Sequence, residues 1–375
     1  MSRLDVRVFP LLRSRRVRFA APAVLGALAL AALAAPALAA ATPATAKPKH
    51  IATIQIPPGP GVVAVSPLTG TVYLPAFAFH EDGPVIINTV LMINGRTNKV
   101  TGRIPDTNEP NTAVVSPRTG DIYVLNENFS VSVINGRTNK IITTITGLDW
   151  ADGIAISPVT GDVYVTKAST TVGAGGSIWV ISGKTNKVIT TIRDRNDPSG
   201  VAISPRTGDV YVPNSNLSPG AVGSIWVLNG RTNKPITTIT DRQDPNEVAV
   251  SPVTGDVYVL NQSGVALNGE IWVLNGRTSK PIATITDDNG PDAVAVSPRT
   301  GDVYVVNNGG DPTPVSSIWV VNGRTNRTIA SIADSNAPFG VAVSAKTGNA
   351  YIANHNGGKG VTNGAGNATM WVISG

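Results

Sequence analysis

The chain contains no cysteine. That single absence removes disulfides, thiolate metal sites and cysteine nucleophiles together. Histidine is nearly missing too, with three in 375 residues, and no H-x-x-x-H zinc spacing occurs. There is no Walker loop, no G-x-S-x-G elbow and no haem-attachment motif. The glycine-rich end, NGGKGVTNGAGN, reads as a flexible loop, because no helix follows it to cradle a phosphate. Aromatic residues make up only 5%, so positions where they recur carry information. What the chain has in quantity is glycine and proline, 38 and 28 residues, which punctuate short segments throughout.

The basic balance of +6 belongs to the first residues. Positions 1–19 hold six Arg and one Asp, and positions 20–41 hold no charge and end in Pro36-Ala37-Leu38-Ala39, an A-x-A cleavage pattern. We read 1–41 as a secretory signal peptide, with Ser14-Arg15-Arg16 similar to a twin-arginine leader, so that export runs by the Sec or the Tat route. Residues 42–49 (TPATAKPK) read as a linker. After cleavage no transmembrane segment is expected, and the product is secreted or held in the cell envelope. Without the leader, 24 basic residues face 23 acidic ones. Nucleic acid is therefore not an expected partner.

Five segments repeat almost letter for letter: SPRTGDIYVL at 116–125, SPVTGDVYVT at 157–166, SPRTGDVYVP at 204–213, SPVTGDVYVL at 251–260 and SPRTGDVYVV at 297–306. The leading serine recurs at Ser66, Ser116, Ser157, Ser204, Ser251, Ser297 and Ser344, a mean period of about 46 residues, the range of propeller blades. Each period holds four short runs rich in Val, Ile, Thr, Tyr and Trp, separated by turn residues. Labelled a to d, the fifth set spans 248–251, 256–260, 270–274 and 281–286. The a–b turn (SPVTGD) and the c–d turn (NGRTSK) each place a glycine where a positive φ is expected.

The two ends fix the architecture. The first strand, His50–Gln55, is a d strand with no a, b or c before it, and the last, Met370–Ser374, is a c strand with no d after it. A linear array would leave both edges open. The sequence therefore predicts an all-β, seven-bladed β-propeller of four-stranded antiparallel blades over 50–375, with a closing blade made of the N-terminal d strand and the C-terminal a, b and c strands. A monomer is expected.

The b strands run YVLN, YVPN, YVVN and YIAN, preceded by VAVSP and followed by NGRTNK. This resembles the YVTN-repeat propellers, the YncE-like group, and the likeness covers 50–375. Tyr73–Ala76 (YLPA) and Tyr164–Lys167 (YVTK) depart most. No GH or WD dipeptide marks a WD-repeat protein. The resemblance implies an extracytoplasmic propeller, and fold alone does not carry function.

Residues present in every blade hold the ring together, and residues that vary are where a site belongs. The seven tyrosines, all at one blade position, and the strand-c tryptophans Trp179, Trp226, Trp272, Trp319 and Trp371 are expected to be buried between blades. The Asp after strand d (Asp106, Asp194, Asp241, Asp287, Asp334) reads as an Asx-turn residue far from the axis. The positions just before strand a differ from blade to blade: Gly61, Asn111, Asp152, Ser199, Asn246, Asp292 and Phe339, with Glu247 alongside. These reach the top mouth of the central channel. Asn111, Asp152, Asn246, Glu247 and Asp292 are the candidate ligand-binding set, and their hard oxygens would suit Ca²⁺ or Mg²⁺. His80, with Glu81 and Asp82, and His355 lie in loops of the first and seventh blades, which ring closure makes neighbours. The top loops hold 17 acidic and four basic residues, the bottom loops 16 basic and five acidic.

The leading expectation is an exported binding or scaffold propeller that recognises an unidentified protein, cell-surface ligand or small molecule through its top face, with no obligatory cofactor. Blades one and seven form its irregular sector. The alternative is a divalent-cation-dependent enzyme of lactonase or lyase type at the same channel mouth. A third reading gives the basic bottom ring to a polyanion.

Overall fold

The computed structural model describes residues 47–79, 85–168, 175–194, 196–215, 222–241, 243–262, 269–287, 289–308, 316–355 and 368–375. The expected leader and most of the linker, His80 and its neighbours, and parts of several b–c loops lie outside them. The described residues form strands and turns, with no helix among them. They build seven antiparallel sheets, each a run of four strand positions in the order a-b-c-d from the centre outward. The fifth blade runs Asp244–Val250, Val257–Gln262, Gly269–Asn275 and Lys280–Asp287. In the fourth blade Ser199 and Gly200 split strand a into two short pieces, both paired to strand b.

The ring closes as expected. His50–Gln55 pairs antiparallel with Thr369–Ile373, with Thr53 opposite Trp371 and Gln55 opposite Thr369. Ser374 N donates to Lys49 O at 2.9 Å, and the His50 ring stacks on Trp371 at 4.1 Å. The outer strand of the last blade is thus supplied by the start of the fold, so that strand c of that blade is paired on both sides.

Strand composition follows position. The b strands are buried on both faces; all five residues of Ile122–Asn126, Val303–Asn307 and Ala350–Asn354 are buried. The d strands are mostly exposed; in Lys234–Thr240 only Thr237 and Ile239 are partly covered. A blade therefore has two apolar faces near the axis and solvated ones at the rim. The core is accordingly divided into seven wedges, one between each pair of blades. One joins Tyr123, Val131 and Val133 of the second blade to Val163, Val165 and Ile181 of the third. Another joins Ile54, Met370 and Val372 of the closing blade to Val72, Leu74 and Leu91 of the first.

The repeated side chains bond these wedges together. Each tyrosine is buried, and those of blades one to five and of blade seven reach the c–d turn of the next blade. The Tyr164 hydroxyl lies 3.0 Å from Gly230 O and 2.7 Å from Asn233 Oδ1. The Tyr351 hydroxyl donates to Gly95 O at 2.6 Å, carrying the pattern from the last blade to the first. Burial pushes the Tyr164 and Tyr211 phenols up to about 12, so they stay neutral donors. On the bottom face Arg118 Nη1 donates to Val159 O at 2.6 Å, and Arg206 and Arg299 donate to Thr254 O and Thr347 O, each at 2.9 Å. Part of the basic bottom ring therefore bonds blade to blade.

Two local expectations need correction. The a–b turn glycines do adopt positive φ, as at Gly120 (81°) and Gly255 (85°), but in the c–d turn the left-handed residue is the Asn or Ser near its end, such as Asn139 (54°) and Ser279 (55°). The c–d glycine is required for space instead. A Cβ on Gly136 would lie 1.9 Å from Gly120 O. The strand-c tryptophans are half-buried rather than enclosed. They cover the outer part of each wedge, as Trp179 does beside Val163 and Val165, because strand c lies too far from the axis for both ring faces to be covered.

Candidate functional site

The a strands surround one central cavity of about 750 Å³. Its wall is apolar along the strands, with Val63, Val65, Val115 and Val343, and becomes polar where the chain enters strand a. Six of the seven positions anticipated before strand a line it: Asn111, Asp152, Ser199, Asn246, Asp292 and Phe339. Glu247 lines it as well. At the seventh, Gly61, the wall is made by Val62 instead. The five oxygen-bearing candidates are thus brought together in one collar. Of the two candidate histidines, His80 lies outside the described residues. His355 is exposed and sets its ring edge-on to Phe339 at 4.8 Å, and desolvation lowers its imidazole below the ordinary range. Through Phe339 it stands next to the collar.

Backbone bonds between blades set the collar's shape. Val62 N donates to Asn111 O at 2.8 Å, and Ala113 N to Val62 O at 3.1 Å. Across the ring, Asn246 O accepts from Gly200 N at 3.1 Å and from Ser199 Oγ at 2.9 Å. Thr166 Oγ1 accepts from Gly153 N at 2.8 Å and also bonds Ser199 O. Gly200 is needed here, since a Cβ would sit 3.0 Å from both Asn246 O and Glu247 Oε2. Asn111 Nδ2 donates to Glu127, a fourth carboxylate in the lining. The Oδ1 of Asn246 is buried and accepts no hydrogen bond from the protein.

Glu247 is the most perturbed acid of the collar. Burial pushes its carboxyl up to about 8, opposed by the bond from Val248 N–H and aided by the charges of Asp152 and Asp292. It is therefore protonated at neutral pH and offers an O–H to the cavity. Desolvation, with the charges of Asp197 and Glu127, also raises Asp152. Among the described residues no Lys or Arg lines the cavity. Nor, among the described residues, are three His, Asp or Glu side chains grouped closely enough to hold a metal ion.

The aspartates after strand d form the expected Asx turns, with Oδ1 accepting from the N–H two residues on: Asn196 N to Asp194 at 3.0 Å and Gln243 N to Asp241 at 3.0 Å. Their expected position is corrected. They are buried, and Asp241 and Asp334 lie beside the side chains of Asn261 and Asn354, the last residues of the YVxN strands. The d–a loop folds inward over the next blade, which sets the Asp against the end of strand b instead of at an outer edge.

No protein-family model and no curated protein matches the chain. The fold has solved relatives. It is similar to a chain of Kuenenia stuttgartiensis hydrazine synthase, with a TM-score of 0.66 and 18% identity, covering 80% of this chain and 94% of that one. At that identity the likeness concerns the propeller alone.

The loops beside the collar hold residues that repeat reasoning passes over. The b–c connection of the second blade is short, Glu127-Asn128-Phe129, and Phe129 lines the cavity. In the following d–a loop Gly147 stands where most of the other loops have Asp, and Ala151 where they have Pro. Trp150 is exposed and lies 5.2 Å from Phe129, centroid to centroid. The top loops of blades two and three thus depart from the repeat as well, while the b–c loops of blades one and seven lie largely outside the described residues. A signal for this was present: of six tryptophans, only Trp150 falls outside strand c.

Proposed function

We propose that the protein is an exported binding propeller, of the YVTN-repeat kind its b strands resemble, that takes a small ligand into the collar of its top face. One observation carries this reading. The side chains repeated in every blade are used up in holding blades together, whereas the variable ones converge on one cavity large enough for a small molecule. Asp152 is exposed at the mouth, so Asp152→Trp would fill the entrance at little cost to packing. Compounds that raise the melting temperature of the wild type should lose that effect in D152W. Equal shifts in both proteins would place binding elsewhere.

Glu247 supports a second reading. A carboxyl held near neutrality and open to a cavity is suited to general acid or base work. The acids of the collar do not form a metal-binding group, so this reading rests on proton transfer by Glu247. Turnover of any substrate that vanished in Glu247→Gln while binding persisted would favour it.

A further inference from the structure

The rim of the cavity has a chemistry of its own. Phe129 and Trp150 present adjoining aromatic surfaces, their planes inclined at 39°. Both bulky residues take left-handed backbone (φ 62°), so the loops themselves hold them in place. Packing does not require Trp150. Leu148, two residues earlier, is fully buried and secures that loop, with Ala151 N donating to its carbonyl at 3.1 Å. Beside the aromatic pair the lining supplies Glu127 and Asp152, and beyond them Asp292. A hard metal ion would have no use for the aromatic surface, an anion would meet carboxylates, and a neutral ligand would have to strip water from them without compensation. A soft organic cation satisfies both features, because the quadrupole of an aromatic face attracts it and the carboxylates neutralise it. The third blade already contains such a contact, with Lys167 Nζ 5.8 Å from the centre of the Trp179 ring. Below the collar, Val63, Val65 and Val115 offer an apolar wall for an alkyl or aryl group.

Resting on the reading of the collar as a ligand site, we infer that its ligand is an organic ammonium ion, with Phe129 and Trp150 as the aromatic wall and Asp152, Asp292 and Glu127 as the countercharge. Calorimetric titration of the full chain with choline, and with its uncharged isostere 3,3-dimethylbutan-1-ol, tests this directly. Choline should bind at least about tenfold more tightly than the isostere, and more weakly as salt rises. Trp150→Ala, at an exposed position, should weaken choline by roughly fivefold or more, and Asp152→Asn should weaken it with the melting temperature unchanged. Equal binding of the two compounds, or choline binding untouched in both variants, would overturn the inference. Absence of choline binding while uncharged compounds bind the wild type and not D152W would also overturn it, leaving the collar as the ligand site. Choline binding undiminished in D152W would instead refute the collar reading itself.

Discussion

Glu247→Gln isolates the most unusual group in the ring. In the unfolded chain this carboxyl titrates at its ordinary value of 4.5, and in the folded protein at about 8. A raised acid means that the folded state holds the proton more tightly. The native state is then unpenalised at acid pH, loses stability as pH climbs from 4.5 through 8, and levels off above. At 1.36 kcal/mol per unit, the wild type should lose about 4 kcal/mol between pH 5 and pH 9 from this side chain alone. Asp241, Asp244 and Asp334 are raised as well, by groups other than Glu247, so they tilt both proteins the same way and cancel in the difference. Glutamine keeps the shape and a donor but cannot ionise. Urea unfolding of both proteins across pH 5–9 should show E247Q gaining on the wild type by about 4 kcal/mol, with most of the gain in hand by pH 8. Parallel pH profiles would refute the claim that Glu247 is buried and held neutral.

Other outcomes test the scaffold. Tyr164→Phe should cost about 1–2 kcal/mol, because it removes the one hydroxyl donor that serves the buried Gly230 carbonyl and the half-buried Asn233 amide oxygen on the next blade. Tyr73→Phe, with a single 3.4 Å contact to Asn139, should cost less, and denaturant midpoints would rank the two. Gly136→Ala places a Cβ 1.9 Å from a carbonyl oxygen and should destabilise by more than about 3 kcal/mol, read from the same transition. Cysteines placed at Gln55 and Thr369, which face each other across the closing pair, should oxidise to one intramolecular disulfide detectable as a two-dalton mass loss. Failure to cross-link would argue against closure. Deleting residues 42–56 should leave the outer edge of Thr369–Ile373 unpaired and yield a protein that melts earlier and aggregates, seen by scattering during a thermal ramp.

The ring was legible because its information is repetitive. Seven serines at one period gave the blade count, and a solitary first strand with a truncated last set gave the closure. The collar was legible for the complementary reason, since Asn111, Asp152, Asn246 and Asp292 interrupt a regular pattern. Other features were hidden because they depend on distances between distant segments. Nothing in NGRTNK says that its glycine faces the carbonyl of another turn, so the left-handed residue was assigned to the wrong position. The Asp after strand d was placed at the rim because strand order alone cannot show a loop folding inward onto Asn261 or Asn354. Phe129 and Trp150 belong to loops that match no repeat, and only the fold brings Trp150 against Phe129 on the cavity wall.

A crystallographic fragment screen of the whole chain tests the central claim most directly, since it asks the protein where it binds small molecules. Density should gather in the collar, against Asp152, Asp292 and the face of Phe129. Fragments settling on other surfaces while the collar holds only solvent would contradict it.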